Sequence, residues 1–167
     1  MSNPNYDPVK AHEYYMKHRQ LKGRRSTKGF SQTQKEQWAY VKDQLKEEHK
    51  ANNKAISDDK KSKNEAITEL AKQQKEALSN QAKQMVENLR QKLKGMSKEQ
   101  KAAMRGKIEN AIAGIRGQLK AAKDNVSMNA KAGKEYNKEA AKGQREAEKQ
   151  SYEAKLDEAH ANIKGKK

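Results

Sequence analysis

Leu45, Ile56, Ile67, Leu78 and Leu89 recur every 11 residues within residues 33–94, a stretch without glycine or proline. Eleven residues make nearly three α-helical turns, so these side chains fall along one nearly straight stripe, the seam of a packing helix. Trp38, Val41 and Leu45 open it at steps of three and four, the narrow apolar spacing of an amphipathic helix. Between Lys46 and Asn64 the stripe thins to Ala55 and Ile56, while Asn52, Asn53, Ser57, Asp58, Asp59 and Ser62 lower helix propensity, making this the weakest part of the element. From Ile67 it recovers through Leu70, Leu78, Met85, Val86, Leu89 and Leu93.

Gly95-Met96-Ser97 punctuates the chain. A glycine can end one helix, and Ser97 with Gln100 forms a capping box for the next, so residues 95–97 read as a turn. Residues 98–132 then predict a returning amphipathic helix on Met104, Ile108, Ile112, Ile115, Leu119 and Val126. Beyond Gly133, residues 134–163 predict a more polar final helix, and residues 164–167 a basic tail. The two sides of the turn have matched lengths, so an antiparallel hairpin follows. Reflection about residue 96 sets Leu89 near Met104, Leu78 near Ile115, Ile67 near Val126, Ile56 near Tyr136, Leu45 near Ala147, and Trp38 near Tyr152 and Leu156.

Upstream, Asp7 before Pro8 starts a short helix within residues 1–22, because the carboxylate accepts free backbone N–H groups and proline's fixed φ suits the first helical position. Residues 23–32 hold Gly23, Gly29, Arg24, Arg25 and Lys28 and read as a flexible basic linker. Ser31 with Gln34, or Thr33 with Glu36, then caps the long helix.

Composition fits this plan. Of 167 residues 32% are hydrophobic and 36% charged, too little apolar surface for a thick globular core, and both prolines precede residue 9. The predicted fold is all-α: an elongated long-helix hairpin or coiled coil, able to self-associate along its seam, with a short N-terminal helix on a basic linker. The net charge of +16 predicts attraction to polyanions, with the positive density highest in residues 1–30. Without cysteine there is no disulfide framework. No apolar run approaches a membrane span, so a soluble intracellular protein is expected.

Little catalytic chemistry is on offer. His12, His18, His49 and His160 show no i, i+4 pair, and His12-Glu13-Tyr14-Tyr15-Met16 carries Met16 where a zinc-protease motif needs its second histidine. No glycine-rich phosphate loop occurs, and a thin hairpin supplies no desolvating pocket for acid–base work. No enzyme, metal or cofactor is expected. The N-terminal head is the better candidate. Tyr14, Tyr15, Met16 and Leu21 offer apolar anchors beside Arg19, Arg24 and Arg25, which offer bidentate contacts to a partner protein.

The string YDPVKAHEYYMKHRQLKGR, Tyr6 to Arg24, resembles an N-terminal motif of small structural proteins of tailed bacteriophages. That resemblance implies a virion-associated or head-assembly protein located in the virion or host cytoplasm. The motif would dock it on a capsid or other virion protein. The layout also resembles assembly scaffolds, which join a helical rod to a small charged capsid-binding end. The alternative expectation is a sequence-independent nucleic-acid-binding protein acting through distributed Lys and Arg.

Overall fold

The computed structural model describes residues 7–10, 12–13 and 25–165. Two long helices dominate, α1 (Gln32–Lys94) and α2 (Lys98–Gly165), packed against one another as an all-α hairpin, with no strand among the described residues. Both starts are reciprocal capping boxes. Ser31 N donates to Gln34 Oε1 at 2.8 Å while Gln34 N donates to Ser31 Oγ at 3.2 Å, and Ser97 with Gln100 repeats the exchange at 3.3 Å each way. Each box satisfies two N–H groups that a helix start leaves unpartnered. Gly95 ends α1 without a left-handed cap: the described residue with positive φ is Gly29, and Met96 N closes the turn on Leu93 O at 3.2 Å.

Gly133 does not divide the second arm. α2 runs unbroken from Lys98 to Gly165 through the boundary expected there. A lone glycine costs a helix only about 1 kcal/mol, which packing readily offsets, and here the missing side chain has a use. A Cβ on Gly133 would lie 3.0 Å from Ile67 Cδ1. Ile67 therefore faces Gly133 rather than Val126, a register seven residues further along α2 than reflection about the turn predicts. Seven residues is nearly two turns, so the slide keeps the same face of α2 inward.

The chain divides into two compact units, one built from Met1–Ala55 with Gln144–Lys167 and the other from Ile56–Gly143. In the first, Trp38, Leu156 and Ile163 are buried together, with Phe30, Val41, Leu45, Tyr152 and Ala159 packed around them. Leu45, expected to meet only Ala147, joins this cluster. Burying side chains of this size contributes about 1.5–3 kcal/mol each, and Trp38 is the largest of the group.

In the second unit Ala82, Ile108 and Ala141 are the buried apolar positions, and Asn137 Nδ2 donates to Asn64 Oδ1 at 3.1 Å across the helix pair. The seam residues Leu45, Ile56, Ile67, Leu78, Leu89, Met104, Ile112, Ile115 and Val126 are all half-buried, and Ile108 is buried. The 11-residue rhythm goes further than its apolar members. On α1 the inward positions advance by steps of four, four and three, which brings in His49, Asn53, Lys60, Asn64, Ala71, Lys75, Ala82, Val86 and Leu93. On α2, Met104, Ile115, Val126, Asn137, Glu148 and Ala159 are half-buried at the same interval. Leu70, Met85 and Tyr136, assigned to the seam by hydrophobicity, are instead 55%, 49% and 75% exposed, because they fall off this rhythm or out of register.

Candidate functional site

Of the N-terminal residues singled out for partner binding, Tyr14, Tyr15, Met16, Arg19, Leu21 and Arg24 lie outside the described residues. The described start of that segment has its expected cap, Val9 N donating to Asp7 Oδ1 at 3.0 Å. Arg25, the described member of that set, makes contacts within the chain. Its Nη2 donates to Glu153 Oε2 at 2.5 Å and its Nη1 lies 3.8 Å from Asp157 Oδ1, with the side chain only 16% exposed. Carboxylates four residues apart on α2 point the same way along one face, and a guanidinium can bridge both.

Nor is the described part of the basic linker a loose tether. Phe30 N closes a turn on Thr27 O at 3.0 Å, and Gly29, at φ 85°, supplies the left-handed residue which that turn needs. Buried His160 sits against this turn. Its Nε2 donates to Ser26 O at 2.8 Å, its ring stacks on Phe30 with centroids 5.3 Å apart, and Trp38 meets it edge-on at 5.2 Å. Because a carbonyl only accepts, the proton is on Nε2. Gln34 Nε2 adds a bond to Ile163 O at 3.1 Å, satisfying a carbonyl in the last turns of α2.

A polar layer follows within the same unit. Glu148 Oε1 accepts from Asn52 Nδ2 at 3.0 Å and from His49 Nδ1 at 3.3 Å, while Asn53 Nδ2 donates to His49 Nε2 at 3.2 Å. One tautomer, with the proton on Nδ1, satisfies both His49 bonds. His49 also stacks on Tyr152, the centroids 4.3 Å apart. The hydrogen bond from Asn52, helped by His49 and by the charge of Lys155, holds the Glu148 carboxyl below its ordinary 4.5 against the opposing effect of partial burial. Beside it Lys155 Nζ donates to Glu48 Oε1 at 2.6 Å, which raises the ammonium above its usual 10.5.

An open groove lies in the unit formed by Ile56–Gly143. There α1 and α2 flank a space of about 1170 Å³. Its walls carry eight lysines, Lys60, Lys72, Lys75 and Lys83 from α1 and Lys123, Lys131, Lys134 and Lys138 from α2, against Glu76 and Glu135. Asn64, Thr68, Ala71, Ser79, Asn80, Ser127 and Ala130 complete the lining. The groove has a local cause: small or polar side chains such as Asn64, Ala71 and Ala130 occupy inward positions there and leave the space between the helices unfilled. Lys60 and Lys75 stand at half-buried seam positions and line the groove; a lysine so placed can cover its aliphatic stem while its ammonium stays in water. None of the eight lysines is held in an ion pair among the described residues. Hydrophobic periodicity passes over this site, because lysines at seam positions read as solvated charge. The 11-residue spacing extended to polar residues would have found Lys60 and Lys75.

Among the described residues no group of three or more His, Cys, Asp or Glu side chains could hold a metal ion, and no helix is long and apolar enough to cross a membrane. The fold is an all-α helical hairpin, and within the Ile56–Gly143 unit eight lysines with no ion pair among the described residues line one groove. No protein-family model, curated protein or solved structure matches the chain.

Proposed function

We propose that this is a non-enzymatic structural or assembly protein of a tailed-phage particle, docking on a larger capsid-type protein through its N-terminal motif. The motif's similarity to those proteins motivates the reading. One observation carries it further: the segment that follows the motif is anchored, with Arg25 on Glu153 and Asp157 and Ser26 on His160. A docking segment that leaves a folded body at an anchored point transmits partner binding to that body, whereas a slack tether would not. The hairpin is then the body being docked, and Tyr14, Tyr15 and Arg19 are the contacts to an acidic partner surface.

The test is incorporation. Alanine at Tyr14, Tyr15 and Arg19 together is expected to abolish recovery of the protein with purified particles or their precursors while helicity by circular dichroism stays unchanged. Incorporation at the normal level would refute the docking role. Mass spectrometry of precursors beside finished particles separates an assembly factor, present only in precursors, from a resident virion component.

A further inference from the structure

We propose that the lysine-lined groove between α1 and α2 binds the phosphate backbone of duplex DNA, an inference independent of the docking role of the N-terminal motif. Eight lysines face two glutamates around one open space, and none of the eight is committed to a carboxylate among the described residues. Cations converging on a cleft focus a positive potential there, stronger than the same charges would produce if scattered. Lys75, half-buried at a seam position, is held in no ion pair among the described residues, which leaves its ammonium available to an arriving anion.

Dimensions and side-chain chemistry select the anion. From Lys60 to Lys83 the α1 wall runs about 35 Å at the helical rise of 1.5 Å per residue, close to one turn of B-DNA. Over that length each strand presents a phosphate about every 3.4 Å, a row of negative charge that matches a row of lysines. The lining includes neither arginine nor an aromatic ring. It therefore lacks the forked donors that read guanine edges and the platforms on which unpaired bases stack. What remains is point charge on flexible stems, which suits the backbone of a stiff, paired duplex without sequence preference.

The experiment uses the full chain. Lys72, Lys75 and Lys134 are changed together to Glu and, in a parallel variant, to Gln. The control changes the exposed Lys42, Lys107 and Lys149, outside the groove, in the same two ways, so that net charge is matched. Binding of a mixed-sequence duplex is measured from low to moderate salt. Loss of affinity in the groove variants is expected to exceed that in the controls by at least about tenfold, and the slope of log affinity against log salt to fall by about three, one for each phosphate contact removed. If the Glu variant loses helicity, the Gln variant decides. Equal losses in groove and control variants would overturn the site in favour of distributed charge. Tighter groove-dependent binding of single strands than of duplex, or of polyglutamate at equal charge, would overturn the assignment to duplex DNA.

Discussion

Gly133 faces Ile67 so closely that a Cβ on the glycine would lie 3.0 Å from Ile67 Cδ1. This contact marks the register of the helix pair around it, since a side chain at 133 would need Ile67 to move. Gly143 has nothing within 4 Å of the corresponding point. Gly143→Ala is therefore expected to stabilise the protein by about 0.5–1 kcal/mol through helix propensity alone. Gly133→Ala should fall short of that gain, because Ile67 must shift. Gly133→Val should destabilise by about 1–3 kcal/mol through overpacking. Urea midpoints for the three variants check the order; equal gains at 133 and 143 would show that the arms do not meet at Ile67.

The anchored turn makes a second prediction. His160→Phe keeps a ring between Phe30 and Trp38 but removes the donor to Ser26 O, and should cost about 1–2 kcal/mol. Arg25→Ala should cost a similar amount, about 1–2 kcal/mol, since its charged hydrogen bond to Glu153 is only partly screened. Both variants should also speed tryptic cleavage at Lys28, read by mass spectrometry of limited digests. An unchanged cleavage rate would mean that the turn is not held by these contacts.

Acid sensitivity has an assigned source. Glu148 titrates below 4.5 in the folded chain, chiefly because Asn52 donates to its charged form. Its contribution to stability is therefore present above about pH 4.5 and is lost as pH falls through the lowered value. Glu148→Gln and Asn52→Ala should each flatten the acid limb of a stability–pH curve measured by urea unfolding. Lys155 works in the opposite sense. Raised by Glu48, it contributes below pH 10.5, and that contribution is lost as pH climbs through its raised value. An acid limb unchanged in Glu148→Gln would show that this carboxyl titrates alike folded and unfolded.

Much of the fold is legible in residue order because its causes are local. Glycine- and proline-free stretches rich in good helix formers dictate helix. Ser31 with Gln34 and Ser97 with Gln100 start the two helices by bonds within one turn, and a repeat of 11 residues selects the buried face. Periodicity, however, is blind to sliding. Moving α2 by seven residues keeps the same face inward, so reflection about the turn set Ile67 opposite Val126 where the structure sets it against Gly133, with Asn64 on Asn137 in the same register. Composition is equally blind to polar residues that pack. Asn64 with Asn137, and His49 and Asn52 with Glu148, look like solvent-facing residues until the opposite helix supplies their partners. The sequence by itself thus determined helical arms on either side of a turn and an inward stripe, but it broke the second arm at Gly133, where α2 runs on unbroken. Register, the anchoring of Arg25 and Ser26, and the gathering of eight lysines around one groove were decided by tertiary structure, because each depends on residues far apart in the chain meeting at one place.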